Sequence, residues 1–324
     1  MAEPLRLGFL STARINRRIL GPARRSEFVE VVAVASRDRS RAESYASEHG
    51  IARAHASYEA LLADAEVDAV YIALPNALHV EWSGRALEAG KHVLCEKPLS
   101  DRPDDVEALF DLADQNGLVV AEAFMYRHNP QTRRLEELVR EGAVGRLQLV
   151  RTSFTFLLER EPDVRLDPEL GGGSVLDLGS YCVSGGRLLA GEPEAVVGHQ
   201  VLGPSGVDEL FTGSLVFPDG VLGLFDCGLR APFRATLEAV GSEGSLLVDD
   251  PWLCSRPGIE LHRGRDAERI AVREADSYEL ELEGFARAVA GESRPLLGRE
   301  DAVGQARALA ALRRSAVEGV PVRV

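Results

Sequence analysis

From Leu5 to about Phe124 short apolar runs alternate with segments of helical period. LRLGFL, VEVVAVAS, VDAVYIAL, KHVLCEK and LVVAEAF have the length and continuity of strands buried on both faces. Between them RSRAESYASEH, SYEALLAD, LHVEWSGRALEAG and DDVEALFDLADQNG carry amphipathic spacing, and several end in Gly or Asn-Gly, as helices commonly do. Strand and helix in alternation predict βαβ units around a parallel sheet.

Beyond Pro130 the pattern changes. A helix over QTRRLEELVREG leads to a strand, RLQLVRTSFTF, then to the triplet Gly171, Gly172 and Gly173, and a helix from about Ser174 to Ala190. EAVVGHQVL, ELFTGSLVFP, VLGLFDCGLR, RATLEAVG and SLLVDD follow as strands, with Pro218-Asp219-Gly220 as a hairpin turn. Turn-sized gaps between consecutive strands predict a mostly antiparallel sheet. Helices near Tyr278 to Ala290 and Arg299 to Val317 close the chain, with VPVRV as a returning strand. The chain therefore reads as α/β: an N-terminal Rossmann domain with a doubly wound parallel sheet over residues 1–124, and a C-terminal α+β domain with a large, mostly antiparallel sheet over residues 125–324.

Composition narrows the function. The chain has 324 residues, 45% of them hydrophobic, and a net charge of −14, which argues against a nucleic-acid partner because phosphate binding needs a basic face. Its apolar runs are far short of the roughly 20 residues of a membrane helix, and MAEPLRLGFL lacks the parts of a signal peptide, so a cytoplasmic protein is expected. Cys95, Cys182, Cys227 and Cys254 are spaced for neither a zinc site nor a disulfide framework, and the seven histidines form no ligand cluster, so no metal is expected.

After the first strand a dinucleotide-binding domain needs a loop whose amides reach the pyrophosphate. Here Ser11, Thr12, Ala13, Arg14 and Ile15 form it, with Ser11 and Ala13 where glycines are expected. The second strand ends in Ser36-Arg37-Asp38-Arg39 and offers no acid at its tip for the ribose hydroxyls. Ser36 can donate to a 2′-phosphate and Arg37 can pair with it, which favours NADP over NAD. Leu74 and Asn76 end the VDAVYIAL strand, followed by His79, whose ring suits either the cofactor or a helix cap. Glu96 and Lys97 end the KHVLCEK strand, and a lysine at a buried strand tip is an expensive choice for packing alone. Asp177 and Tyr181, four apart in a helical stretch, share one face.

GFLSTARI, AVASRDRSRAESYASEHG, SYEALLAD, VDAVYIALPNALH, ALEAGKHVLCEKPL, EAFMYRHNPQ and LDPELGGGSVLDLGSYCV, in that order, resemble the family of glucose–fructose oxidoreductase and inositol dehydrogenase (Gfo/Idh/MocA). The tyrosine at position 181 is similar to the branch holding NADP-dependent aldose 1-dehydrogenases and trans-dihydrodiol dehydrogenases. That resemblance implies Lys97 and Tyr181 as the catalytic pair, with Asp177 orienting the substrate or Lys97. A free tyrosine titrates near 10, and an adjacent ammonium lowers it toward a usable base. Arg127 belongs with the cofactor-binding residues, and it and Arg165 also suit sugar hydroxyls; simple salt bridging is the alternative for each.

The resulting expectation is an NADP-dependent dehydrogenase that passes hydride between nicotinamide and a cyclic polyol, foremost an aldose at C1. A trans-1,2-dihydrodiol dehydrogenase is the alternative, and a non-catalytic NADP(H)-binding regulator the alternative of another class. The broad second sheet, if one face is uncovered, calls for a homodimer or tetramer.

Overall fold

The computed structural model describes residues 3–159 and 162–324, which fall into two compact units. The first is built on six parallel strands, β1 (Leu5–Phe9), β2 (Val29–Ala35), β3 (Arg53–His55), β4 (Ala69–Ile72), β5 (His92–Glu96) and β6 (Val120–Ala123), in the order β3-β2-β1-β4-β5-β6. Helices α1 (Asn16–Arg25), α2 (Arg39–His49), α3 (Tyr58–Leu62), α4 (His79–Glu88) and α5 (Pro103–Asn116) connect them. Local chemistry marks the helix ends. Asp38 accepts from the Arg41 amide to start α2, and Gly50 stops it at φ 63°, where a side chain would be strained. Ser57 does the same for α3 through the Ala60 amide. Strand β3 has only three residues and no fully buried one, so it carries no apolar run to betray it in the sequence.

The second unit holds α6 (Pro130–Arg140), α7 (Ser180–Ala190) and nine strands: β7 (Leu147–Leu157), β8 (Ala195–Leu202), β9 (Asp208–Val216), β10 (Leu222–Gly228), β11 (Arg230–Gly241), β12 (Ser245–Asp249), β13 (Ile259–Arg263), β14 (Asp266–Ile270) and β15 (Val322–Arg323). Their order is β14-β13-β12-β11-β7-β10-β9-β8-β15. The pairings are antiparallel except for β7 with β10, which run parallel from Leu149 opposite Leu222. One face is apolar: Phe211, Leu215, Phe225 and Leu237 are buried there, each worth about 1.5–3 kcal/mol of apolar burial. Phe211 and Phe225 stack at 5.9 Å, and Leu309 and Leu312 from the last helix, α9 (Arg299–Glu318), are also fully buried. The other face shows solvent Leu222, Leu224 and Val216, beside a cavity of about 460 Å³ lined by Arg151, His199, Asp226, Arg234 and Glu238.

The first unit is not one continuous stretch. It also takes in Asp276–Val303, which the sequence reading placed in the second half. The reason is packing: Leu282, Phe285 and Ala286 of α8 (Ser277–Val289) join Phe9, Ile19 and Tyr71 in one buried cluster. Arg25 of α1 clasps Asp276 and Glu279 at 2.7 and 2.8 Å. A second difference is local. The stretch expected to be one α-helix from Ser174 opens with a π-helical turn, Val175–Gly179, before α7 begins.

Candidate functional site

All strands of the first sheet run parallel, so β1, β2, β4 and β5 end on one edge, and the strand order reverses between β1 and β4. That edge is where such sheets bind ligands. Ser11, just past β1, donates from its hydroxyl to the Ala73 carbonyl at 3.1 Å and accepts from the Ala13 amide at 3.2 Å. The fully buried Asn16 donates to the Ser11 carbonyl at 2.8 Å, so the loop through Thr12, Arg14 and Ile15 is pinned at both ends. Arg14, Arg17 and Arg18 stand exposed around the start of α1 and add positive charge where a helix N-terminus already favours an anion.

At the tip of β2, Ser36 accepts from the Asp38 amide at 3.2 Å. Asp38 accepts from the Ser40 hydroxyl at 2.8 Å and from the Arg41 amide at 3.2 Å, and these bonds hold its carboxyl below the usual range. The carboxylate nearest the strand tip is thus committed to its own helix. Burial raises the Tyr58 phenol, while the positive charge of nearby Arg37 opposes the rise, which puts the guanidinium beside this edge. A serine and an arginine without a competing acid suit a 2′-phosphate, so the residues present fit NADP.

Lys97 sits on a rigid mount. Its own amide donates to Glu96 Oε2 at 3.3 Å, the next carbonyl, Pro98, meets His79 Nδ1 at 2.8 Å, and the Leu99 amide donates to the buried Glu122 Oε1 at 2.7 Å. The Lys97-Pro98 peptide is cis. Two expected cofactor contacts take other duties here. His79 is 1% exposed, its second nitrogen meets the Leu74 carbonyl at 2.8 Å, and burial lowers its pKa, so the ring laces two loops together. Glu96 turns Oε1 to the Tyr71 phenol, which donates to it. Glu281 of α8 is fully buried, and burial, with the charge of Glu96, holds its carboxyl well above the usual range. Leu74 is buried, and Asn76 opens a short 3₁₀ turn, half-buried at the same edge.

In the second unit Tyr181 lies on α7 with 8% of its surface exposed. Its ring is enclosed by Phe154 at 5.4 Å, Tyr126 at 5.8 Å and Trp252 at 5.9 Å, distances typical of edge and tilted aromatic pairs. Trp252 is itself fixed by its indole N–H donating to the Ser153 carbonyl at 2.9 Å. The Tyr126 hydroxyl donates to Ser184 Oγ at 2.7 Å, and Arg127 reaches the same oxygen at 3.4 Å. Asp177 accepts from Arg165 Nε at 2.5 Å, and the same guanidinium reaches Asp163 at 3.2 Å. The charge of Asp177 is the main reason the Arg165 pKa rises. The structure thus resolves Arg165 toward ion pairing and makes it the partner of Asp177.

Sequence reading missed the supports: Glu122, Tyr126, Phe154, Asp208 and Trp252. Each acts across a long stretch of chain, and no spacing signals it. Among the described residues no group of three or more His, Cys, Asp or Glu side chains is placed to hold a metal ion, and no helix is long and apolar enough to cross a membrane. All four cysteines are buried thiols.

Comparison with known proteins agrees with this layout. A family model described as an oxidoreductase family with an NAD-binding Rossmann fold matches residues 5–124, and the C-terminal domain model of the same GFO/IDH/MocA group matches residues 132–247. The chain is 38% identical over 322 residues to D-xylose 1-dehydrogenase (NADP(+)) 2 of Haloferax volcanii, covering 98% of this chain and 99% of that protein. It is 34% identical over 225 residues to trans-1,2-dihydrobenzene-1,2-diol dehydrogenase of Mus musculus, covering 69% and 67%. A crystal structure of a 3-ketoreductase from Actinomadura kijaniata in complex with NADP and TDP-benzene superposes with a TM-score of 0.92 at 32% identity, covering 96% of this chain and 98% of that one.

Proposed function

The chain belongs to the Gfo/Idh/MocA oxidoreductases, and from that premise we propose that it oxidises an aldose at C1 to its lactone with NADP⁺. The observation that carries the cofactor choice is the commitment of Asp38 to its own helix, which leaves Ser36 and Arg37 to meet a 2′-phosphate. The similarity to a D-xylose 1-dehydrogenase supports the substrate class. Relatives named as dehydrogenases and reductases set aside the reading as a non-catalytic regulator.

NADP, when bound, supplies the hydride acceptor or donor. Ser11, Thr12, Ala13, Arg14 and Ile15 would hold its pyrophosphate, Ser36 and Arg37 its 2′-phosphate, and Leu74, Asn76 and Lys97 the remainder. Tyr181 takes the proton of the substrate hydroxyl in oxidation and returns one in reduction. Lys97 is proposed as the second member of the catalytic pair, through the positive charge that its ammonium brings. Its mount on Glu96, His79 and Glu122 fixes the backbone from which the ammonium stem projects, and preorganised charge requires such an anchor. Asp177, paired with Arg165, orients the substrate-binding surface through that arginine.

A second reading is reduction of a ketosugar, favoured by the close superposition on the 3-ketoreductase; oxidation of a trans-dihydrodiol is a third. A panel of D-xylose, D-glucose, a trans-dihydrodiol and a nucleotide-linked ketosugar, each tested with NADP(H) and NAD(H) and followed at the NADPH absorbance, separates them. Turnover on aldoses with NADP⁺ is the expected result. Turnover confined to the ketosugar or the diol would replace the first reading, and a preference for NAD would remove the role given to Arg37. The exposed face carrying Leu222, Leu224 and Val216 beside Arg234 and Asp226 further supports a homodimer through the second sheet, which light scattering at micromolar concentration tests.

A further inference from the structure

We propose that Asp208 is a positioning residue for Tyr181, acting as a cap that β9 lends to the helical segment carrying the phenol. The inference rests on Tyr181 as the proton-exchanging group.

A helix start leaves amides without partners inside the helix, and the usual remedy is a side chain at the N-cap. Ser174 occupies that place and makes no such bond to its own helix. Its hydroxyl donates instead to Asp208 Oδ2 at 2.6 Å, and the Val175 amide donates to the same oxygen at 2.8 Å. The cap therefore comes from 34 residues away and ties the segment to the sheet. Gly173 makes room for it: φ is +115°, and a Cβ there would lie 2.2 Å from Asp208 Oδ1. Any other residue would push the carboxylate off the helix start.

Position matters here because the segment opens with a π-helical turn, Val175–Gly179. Such a turn fits an additional residue into the coil, so the face on which Tyr181 emerges depends on where the coil begins. Downstream, Gln305 Nε2 donates to the Ser180 carbonyl at 2.8 Å and the rings of Phe154, Tyr126 and Trp252 confine the phenol. With these contacts set, releasing the start of the coil turns and shifts the phenol against a rigid wall, and a misplacement near 1 Å costs catalysis on the order of 100-fold.

The test compares Asp208→Ala, Asp208→Asn, Tyr181→Phe and the double variant Asp208→Ala/Tyr181→Phe. The readouts are kcat and KM, the NADP dissociation constant, and amide hydrogen exchange over residues 175–183. Asp208→Ala should lower kcat about 10- to 100-fold, leave NADP affinity within about twofold because the residues assigned to the cofactor's phosphates lie in the first unit, and speed exchange in that stretch. In the Tyr181→Phe background the further loss of kcat should vanish. Wild-type kcat in both Asp208 variants, or a loss of the same size with and without the phenol, overturns the proposal. If Tyr181→Phe turns over like wild type, the Tyr181 reading fails by itself, and exchange still judges the cap: unchanged protection in Asp208→Ala refutes it. Should the alanine variant not fold, Asp208→Asn, which keeps one acceptor oxygen, is read in the same way with a smaller expected loss.

Discussion

Replacing Asp208 by asparagine should change how stability depends on pH, and the size of the change follows from the burial of one carboxylate. Asp208 is 7% exposed, and its pKa is raised from 3.8 to about 6, burial being the first cause and the bonds from Ser174 and Val175 only partly opposing it. A shift of about two units corresponds to about 3 kcal/mol. The folded pKa lies above the unfolded one, so the group's contribution is fully present below about pH 4 and is lost as pH rises through about 6. An amide does not titrate. Relative to Asp208→Asn, the wild-type protein should therefore lose about 3 kcal/mol between pH 4 and pH 7, and nothing further above that. Any fixed penalty of the amide shifts the two curves vertically and leaves the slope untouched. Urea unfolding read by Trp252 fluorescence in a Trp82→Phe background follows the second unit, since Trp252 is fully buried there. With a slope of about 2–3 kcal/mol per molar, the relative midpoint should move by about 1 M. Parallel pH profiles for the two proteins would refute the reasoning, because they would mean that the carboxylate is as well solvated in the fold as in the unfolded chain.

Three further outcomes are expected. Tyr181→Phe should lower kcat by about 100- to 10,000-fold with NADP affinity preserved, measured by initial rates and fluorescence titration; equal turnover would assign the proton to another group. Arg37→Ala should weaken NADP⁺ at least about tenfold while changing NAD⁺ little, since only the phosphate pairing is lost; equal losses for both cofactors would contradict it. Gly185→Ala should destabilise the second unit by about 1–3 kcal/mol and perturb Trp252 emission, because the added carbon would lie 2.8 Å from the Trp252 ring and 3.0 Å from Leu237; unaltered stability would show that the ring can yield.

The first sheet was legible because strands buried on both faces must be mostly apolar, and β1, β2, β4, β5 and β6 each carry a run of buried apolar residues with at most two polar or charged ones. Strands β13 and β14 were not, for the opposite reason: β14 is an edge strand with four of its five residues exposed, so nothing in its composition demands a sheet. The same logic explains α8. Its apolar stripe announces a helix but not which core it joins, and Leu282 and Phe285 were free, as far as pattern goes, to pack on either sheet.

A parallel division runs through the candidate site. The residues proposed to carry chemistry have unusual side chains at informative places, as with Lys97 at a strand tip or Arg37 at a strand tip that offers no free acid. The groups that hold them are ordinary residues, and their meaning lies entirely in distance. Glu122 reaches Leu99 across 23 positions, Tyr71 reaches Glu96 across 25 and Asp208 reaches Ser174 across 34. No local period links such pairs, so a sequence met alone shows the candidate reactive groups and hides their mounts. Yet the mounts decide geometry: a lysine on a loose loop or a tyrosine on a frayed helix would keep its chemistry and lose its aim. A substitution at Glu122 or Asp208 should then lower kcat, by less than the loss of Lys97 or Tyr181 itself, while leaving both side chains in place.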